Sequence, residues 1–512
     1  MTMKKIAEFL FSRVVIGLLV FSLQIYWFAS IVFELGGYND IISYILKAFS
    51  IAAVIYIINK DDNPAYKLAW VIPILTVPIL GGIMYLYLGN KKPARHLRKV
   101  LDQEFKKTVF LLQQKKEIQD EIKEQSPIVA GQSHYIAKHA GFPIHKHTQT
   151  TYFSSGEECY ERVLEELKEA KHYIFMEYFI VKEGSMLDEM LEILEQKAKE
   201  GVDVRFMYDD VGCISVLDAN FYKKVEARGI SCMRFNEFIP IISTAWNNRD
   251  HRKIMVIDGH TAFTGGFNLA DEYINREERF GYWKDSGIMI KGDAVWNLTI
   301  MFLQVWNPLR KIEEDYIKYR PKWHMQKRME SDGYVQPYSD TPLDAETVSE
   351  NIYLNIIHGA TKYLYITTPY LIIDNELMTA LCLASKRGVD VRIITPGIPD
   401  KKLVFLVTQS YYRTLVNAGV RIYEYVPGFI HAKNVVCDDK IATVGTVNWD
   451  YRSLYLHFEC GVFLYNTKTV KDIYDDFIDT MKVSKLITQE ECIKPLTALL
   501  AQSILRVFSP LL

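Results

Sequence analysis

Two stretches of the chain, HRKIMVID at residues 251–258 and HAKNVVCD at residues 431–438, decide how the rest of the sequence is interpreted. Each contains a histidine, a lysine two residues later and an aspartate seven residues later. In both, a glycine follows the histidine after fourteen residues and an asparagine after seventeen. A single copy would be weak evidence, but two copies with matched spacing indicate a duplicated site.

The two stretches supply the same types of candidate residue. Histidine and lysine, two residues apart on a strand, point to the same face. Each aspartate ends a strand at a turn, where aspartate is common, so a structural role fits it as well as a catalytic one. The candidate catalytic residues are His251, Lys253, Asp258, His431, Lys433 and Asp438, and the candidate phosphate-binding residues are Asn268 and Asn448.

These residue types suit a phosphodiester. Lysine brings a compact positive charge to phosphate oxygens, and asparagine adds neutral donors. The glycines at 265–266 and 445 leave room for the backbone and the asparagine to approach a phosphate. If the two sets meet across an axis, they form one pocket for one phosphate.

Two histidines then suffice for the reaction, so we expect neither a metal nor another cofactor. One histidine attacks phosphorus and becomes a covalent phosphohistidine. The other protonates the leaving alcohol and later deprotonates the incoming acceptor. Each ring needs a carboxylate on its far nitrogen to hold one tautomer, and the candidates are Asp285 and Glu459. Spacing does not decide which histidine attacks.

A repeated structural unit surrounds the two stretches. An apolar strand at 173–176, a helix around 186–199 and the segment GVDVR at 201–205 recur as 363–366, 376–386 and the identical GVDVR at 388–392. Strand–helix–strand alternation predicts α/β layers with largely parallel central strands. Two similar halves in one chain predict a pseudo-two-fold arrangement with a shared site on the axis.

The N-terminal part is different in character. Val14 to Phe33 and Leu68 to Asn90 carry no charge and are each long enough to span a bilayer, and Ile41 to Ile58 is a third candidate interrupted by Lys47. We expect two or three spans. The basic cluster after Asn90 places the remainder of the chain in the cytoplasm of a multi-pass cell-membrane protein.

The expected organisation therefore has five parts. An apolar tail ends the chain and is interpreted as an interfacial helix. The parts are a transmembrane anchor at 1–92, a charged helical linker at 93–128, a first half at 129–330, a second half at 331–495 and the tail at 496–512.

Composition excludes several classes of site. The chain has 60 basic and 62 acidic side chains, so no overall positive field favours nucleic acid as a partner. Its seven cysteines are scattered and form no CxxC pair, which indicates neither a disulfide framework nor a zinc site. We therefore expect the catalytic part to lie in a reducing compartment.

The motifs resemble a known family. The duplicated stretches look like the paired HKD motifs of the phospholipase D superfamily. Segments 247–253, 265–268, 271–273, 368–371 and 445–453 are similar to bacterial cardiolipin synthases, and 63–81 resembles the N-terminal membrane domain of that family. The resemblance implies two phospholipase D-like halves, a phosphatidyl-histidine intermediate, and transfer between two molecules of phosphatidylglycerol at a membrane. By analogy with other members of the superfamily, His251 is the nucleophile and His431 the general acid and base.

Three functions compete on the residues alone. A phosphatidyl transferase passes the group to an alcohol, a lipase or nuclease passes it to water, and a membrane scaffold does neither. Two complete motifs argue against the scaffold, whereas the apolar spans and the missing basic surplus argue against the nuclease. The preference for transferase over lipid hydrolase comes from the resemblance.

Overall fold

The computed structural model describes residues 38–89, 95–237, 247–321, 329–331, 333–344 and 346–511. The expected span from Val14 to Phe33 lies outside these residues. Among the described parts of the chain, no helix combines the length and the apolar character needed to cross a bilayer.

The N-terminal helices differ from the expected single span over Leu68 to Asn90. That run forms two helices separated at Val77, because Pro73 and Pro78 interrupt the backbone hydrogen bonding there. A Cβ on Gly81 would lie 2.5 Å from the carbonyl oxygen of Pro73, so the second helix folds back directly onto the first. At 1.5 Å per residue the two are only about 20 and 16 Å long. The helices are α1 (Tyr38–Asn59), α2 (Pro64–Thr76) and α3 (Pro78–Leu88).

Helices then lead into the first half. They occupy the charged stretch and the residues just beyond it. They are α4 (Arg95–Thr108), α5 (Lys116–Gln125) and α6 (Pro127–Tyr135), and 3-10 and π-helical turns follow α4 and α6 at Val109–Leu111 and Ile136–Ala140.

The first half alternates strands and helices as its sequence predicts. Its elements are β1 (Thr148–Phe153), α7 (Gly156–Glu169), β2 (Tyr173–Tyr178), α8 (Ser185–Lys199), β3 (Asp203–Asp209), α9 (Asp210–Cys213), α10 (Phe221–Glu226), β4 (Ser231–Phe235), β5 (Ile254–Ile257), β6 (Thr261–Gly265), β7 (Tyr282–Lys284), β8 (Gly287–Gly292) and α11 (Val295–Arg310), with 3-10 turns at Asp271–Ile274 and Tyr316–Tyr319.

The second half repeats this arrangement. Its elements are β9 (Tyr334–Asp340), α12 (Val348–Gly359), β10 (Tyr363–Thr367), β11 (Leu371–Ile372), α13 (Asn375–Lys386), β12 (Asp390–Pro396), α14 (Lys402–Asn417), β13 (Arg421–Tyr425), β14 (Gly428–Ile430), β15 (Asn434–Cys437), β16 (Ile441–Gly445), β17 (Trp449–Asp450), α15 (Tyr451–Tyr455), β18 (Glu459–Tyr465), α16 (Thr469–Lys482) and β19 (Ser484–Leu486), followed by α17 (Leu496–Val507) and a 3-10 turn at Ser509–Leu511.

The two main sheets have the same topology. The first has the order β1-β8-β6-β5-β2-β3-β4, and the second has the order β9-β18-β16-β15-β10-β12-β13-β19. Strand for strand these orders correspond, with β19 added at one edge. The duplicated GVDVR segments thus begin equivalent strands, β3 and β12, and the predicted pair of similar α/β halves is confirmed.

The expectation of largely parallel strands is wrong for more than half of each sheet. Within the two main sheets, the parallel strands are β2, β3 and β4 in the first and β10, β12 and β13 in the second. The strands that carry the duplicated stretches, β5 and β15, pair antiparallel with both neighbours. The reason is that short turns at 258–260 and 438–440 join β5 to β6 and β15 to β16 as hairpins, whereas parallel strands need longer crossovers.

The main core lies between the two sheets. Helix α11 is buried from Val295 to Asn307, as expected of a helix that is apolar on most of its surface. Its cluster combines Phe175 and Val256 of the first sheet with Val436 and Val462 of the second. Separate clusters under the outer helices cover the other face of each sheet. The halves therefore form one body with a shared interior.

The N-terminal helices are anchored to the second half. Asn63 caps α2 by accepting a hydrogen bond from the Ala65 amide, and its side-chain nitrogen donates to the Tyr455 hydroxyl at 2.9 Å. Tyr66 is 4% exposed, and its ring packs edge-on against Tyr451 and Tyr455 at 5.7 and 5.8 Å. The first turn of α2 is therefore part of the packing of the second half.

We predict that Tyr66→Ala loosens this junction. Removing a buried aromatic side chain costs about 3–5 kcal/mol in most cores, so the variant should unfold at a lower temperature in detergent and be cleaved faster between α1 and α4. Tyr44→Ala is the matched control, because Tyr44 in α1 is 68% exposed. Equal melting temperatures and cleavage rates for the two variants would contradict the anchoring role.

Candidate active site

His251 lies where the first half meets the second. Its backbone amide donates to the carbonyl of Phe458 at 2.9 Å, and the amide of Phe458 donates to the carbonyl of Arg249 at 2.9 Å. These bonds form a parallel bridge between the two halves. The bridge brings Nδ1 of His251 to 2.8 Å from Oε1 of Glu459, which belongs to the second half.

His431 occupies the equivalent position. Strands β14 and β7 pair in parallel, and the amide of His431 donates to the carbonyl of Lys284 at 2.7 Å. This pairing places Nδ1 of His431 2.7 Å from Oδ2 of Asp285, which belongs to the first half. Each histidine is therefore oriented by a carboxylate from the opposite half, an arrangement that the sequence analysis left open.

The loops after β6 and β16 support the two carboxylates differently. A Cβ on Gly266 would lie 2.0 Å from Oδ1 of Asp285, so the missing side chain makes room for this carboxylate. The sequence analysis assigned that room to phosphate. At the equivalent position of the second half, the hydroxyl of Thr446 donates to Glu459. The two halves thus differ in what surrounds the orienting carboxylates.

The two lysines are buried beside the histidines. Nζ of Lys253 donates to the carbonyl of His251 at 2.5 Å, and Nζ of Lys433 donates to the carbonyl of His431. Burial lowers the pKa of Lys253 to about 8 and that of Lys433 to about 7. A bound phosphate anion would favour the charged form of both lysines and raise these pKa values again.

The two asparagines have different surroundings. Asn268 accepts a hydrogen bond from the Ile180 amide and donates to the Tyr273 hydroxyl at 2.8 Å, so part of its capacity is used structurally. Oδ1 of Asn448 is buried and has no hydrogen-bond partner among the described residues. Asn448 therefore has more capacity left for a ligand than Asn268.

Burial is the largest cause of the pKa shifts of the two histidines. It lowers the pKa of His431 to about 4, with Lys433 acting in the same direction and Asp285 against it. Burial also holds the pKa of His251 well below its ordinary value, and Lys253 and His457 add to the effect. Lys433 and His431 contribute to the same shift, so the second set lies near enough to act electrostatically on His251. Both shifts favour the neutral form of the ring near neutral pH.

The two orienting carboxylates titrate in opposite directions. Burial raises the pKa of Glu459 to about 8 although Lys253 opposes the change. Burial would also raise the pKa of Asp285, but His431 and Lys433 outweigh it and lower that pKa below its ordinary value. The charged form is therefore favoured more for Asp285 than for Glu459. His431, beside Asp285, has the neighbour that better stabilises an imidazolium.

Asp258 and Asp438 lie away from this centre. Asp258 accepts hydrogen bonds from the amides of residues 171–173, and Asp438 accepts equivalent bonds from the amides of residues 361–363. Seven extended residues at about 3.3 Å each place them roughly 20 Å along the chain from the histidines. The structure thus does not bring these two predicted catalytic residues to the site, and each instead fixes the start of the neighbouring strand.

One residue near the site was missed by the sequence analysis. The ring of His457 lies 5.7 Å from that of His251 between centroids, and Phe179 packs against both rings. Because strand side chains alternate, the spacing of His457 and Glu459 in Leu-His-Phe-Glu places them on one face. That spacing was the signal available in the sequence.

Two groups of described residues have the geometry to hold a cation. Ligand atoms of His251, His457 and Glu459 lie within 4.8 Å of one another, as do those of Glu350, Asp374 and Glu376. The first group includes a histidine whose ring is already paired with Glu459, so a cation there would replace that hydrogen bond. The second lies beside Asn63 and Tyr455 and contains no histidine.

Comparison with known proteins gives consistent matches. A family model described as "Cardiolipin synthase, PLD-like domain" matches residues 163–291 and 353–481, and one described as "Phospholipase D-nuclease N-terminal" matches residues 48–90. The chain is 34% identical to a cardiolipin synthase of Geobacillus kaustophilus over 91% of this chain and 93% of that protein. It is 35% identical to cardiolipin synthase 2 of Bacillus anthracis over 91% and 90%, respectively.

A solved structure shares the fold. The phosphatidylserine synthase of Haemophilus influenzae superposes with a TM-score of 0.53 and 16% sequence identity, covering 71% of this chain and 93% of that chain. At this identity the likeness concerns the fold alone.

We predict that the two carboxylates control opposite histidines. In spectra of protein labelled with 15N-histidine, Glu459→Gln should change the ring signals of His251, and Asp285→Asn those of His431. Each variant should lose turnover roughly 10²–10⁴-fold, the usual contribution of a correctly oriented acid or base. His251→Gln and His431→Gln assign the signals. A change confined to the histidine of the same half would contradict the crossed pairing.

Proposed function

The chain belongs to the cardiolipin synthase family of phospholipase D-like phosphatidyltransferases, and from this premise we propose that it joins two molecules of phosphatidylglycerol into cardiolipin and releases glycerol. The observation that carries the proposal is the crossed pair of histidine–carboxylate contacts, which supplies two oriented imidazoles and two lysines to one site. A single phosphodiester needs such a set on its two sides.

In the first step, Nε2 of His251 attacks phosphorus and the bond from phosphorus to the glycerol oxygen breaks. His431, protonated when the substrate anion is bound, gives its proton to that oxygen. The products of this step are glycerol and a phosphatidyl group on His251. Lys253 and Lys433 balance the charge on the non-bridging oxygens throughout.

In the second step, neutral His431 takes the proton from a hydroxyl of the second phosphatidylglycerol. The freed oxygen attacks phosphorus, the bond to Nε2 of His251 breaks, and cardiolipin forms. His251 returns neutral and His431 returns protonated, so the cycle is balanced in protons.

The difference between the two carboxylates supports this division of roles. The nucleophile must present a lone pair and therefore be neutral, which suits His251 beside Glu459 with its raised pKa. The acid and base must pass through a cationic state, which suits His431 beside Asp285 with its lowered pKa. An adjacent anion stabilises an imidazolium.

A membrane surface is the proposed working place of the enzyme. Large apolar side chains are exposed on α1 and α2, including Phe49, Ile55 and Leu68. Helix α17 exposes Leu496 and residues 500 and 504 at four-residue spacing, which places them on one face of the helix. Such a stripe suits the interfacial role expected for the tail, and we propose the cytoplasmic side of the membrane for the catalytic halves.

We predict that the purified protein converts phosphatidylglycerol in detergent micelles into cardiolipin and glycerol in equal amounts. Lipid products and free glycerol are quantified, with His431→Ala as the inactive control. Excess EDTA should leave the rate unchanged, because no step needs a metal. Phosphatidic acid as the main product would instead identify a lipid hydrolase, and loss of turnover in EDTA that a divalent ion restores would contradict the metal-free steps.

We predict further that the covalent intermediate forms on His251. An analogue with a radiolabelled phosphatidyl group and a leaving group that needs no proton is acid-quenched after mixing, and labelled peptides are mapped. The wild type and His431→Ala should carry label on His251, whereas His251→Ala should carry none. Label on His431 would reverse the two roles, and absence of label from the wild type would remove the covalent mechanism.

A further inference from the structure

His457 is a buried polar side chain that takes part in neither step of the proposed reaction. It is 9% exposed, and neither ring nitrogen has a hydrogen-bond partner among the described residues. Buried imidazoles are normally hydrogen-bonded, because leaving a polar group unpaired costs free energy. Its Nδ1 lies 3.9 Å from Oε1 of Glu459, the oxygen that also faces His251.

A polar cavity adjoins this histidine. Its volume is about 540 Å³, and its wall contains His457 and Lys60 together with the carboxylates of Asp61, Asp62, Asp344 and Glu346. Acidic groups thus outnumber basic ones along the wall. A cleft lined by one sign of charge raises the local concentration of the opposite ion, here a cation.

The side chains at this point form a ligand set. His251, His457 and Glu459 can each present one ligand atom, and these atoms lie within 4.8 Å of one another. Two imidazoles and one carboxylate are a protein ligand set of zinc, with bonds of about 2.0–2.2 Å and water in the fourth position. Lys253, Arg249 and Arg452 are nearby positive charges, which the carboxylate of Glu459 and the acidic wall of the cavity would have to offset.

We propose that His251, His457 and Glu459 form an inhibitory site for a divalent cation of the zinc type, reached through the acidic cavity. The inhibitory part rests on the proposed function. A metal on Nδ1 of His251 takes the lone pair of that nitrogen, so the single ring proton must reside on Nε2. Nε2 then has no lone pair with which to attack phosphorus, and the first step stops. Because Glu459 also binds the metal, it no longer orients the ring of His251.

The experiment measures binding and inhibition separately. Purified full-length protein in detergent is titrated with Co²⁺, whose visible absorption reports a four-coordinate site, and with Zn²⁺ by calorimetry. Cardiolipin formation is then measured over a range of free Zn²⁺. The wild type should bind one ion at this site, lose turnover as it fills, and recover fully in EDTA.

His457→Phe is the decisive variant, since it keeps a ring against Phe179 and removes both nitrogens. It should retain turnover, lose the Co²⁺ absorption and need at least about tenfold more Zn²⁺ for half-inhibition, as expected for the loss of one ligand. Glu376→Gln is the matched control, because Glu376 belongs to the other candidate cation group and lies outside this set. It should behave as the wild type.

Each result decides the proposal. Inhibition of His457→Phe at the wild-type Zn²⁺ concentration, or stimulation of the wild type by Zn²⁺, overturns it. If the wild type makes no cardiolipin, the proposed function fails, but the cation site still stands or falls on whether His457→Phe abolishes the Co²⁺ absorption. The melting temperature of each variant is measured to check that it is folded like the wild type.

Discussion

The active site depends on two short backbone bridges between the halves. One joins the chain before β5 to the chain before β18, and the other pairs β7 with β14. Each bridge aligns a histidine of one half with a carboxylate of the other to within hydrogen-bond distance. Because the backbone sets this alignment, neither half alone has an oriented histidine. The shared core around α11 holds the two halves at the distance that the bridges require.

On this nearly symmetric frame the two histidine–carboxylate pairs have different surroundings. The positions after the two strand-ending glycines hold Gly266 in one half and Thr446 in the other, and they give the carboxylates different surroundings. Asp285 keeps its charge beside His431, whereas burial opposes the charge of Glu459 beside His251. A pair of groups with divergent environments is the usual means of dividing acid and nucleophile roles in one site.

The N-terminal helices are structurally continuous with the site. Asn63 and Tyr66 bind the second half at Tyr455, two residues before His457, and the loop before α2 forms part of the acidic cavity wall. These helices therefore pack against the part of the second half that immediately precedes His457 in the chain.

Much of the fold and site was predictable from local sequence. The duplicated spacings, the repeated GVDVR segments and period-two alternation predicted the two equivalent α/β halves and named both histidines and both lysines, because each of these signals lies within a few residues of chain. Asp285 and Glu459 were candidates because each imidazole needs a carboxylate on its far nitrogen. The run from Leu68 to Asn90 forms two helices and not one, since hydropathy does not register the interruption by Pro73 and Pro78. Only the tertiary structure shows which carboxylate binds which histidine. It also places Asp258 and Asp438 at the far ends of their strands from the two histidines, and His457 beside His251. Those relations join residues up to about two hundred positions apart, and distances across such separations are set by the packing of the two halves, not by any local pattern.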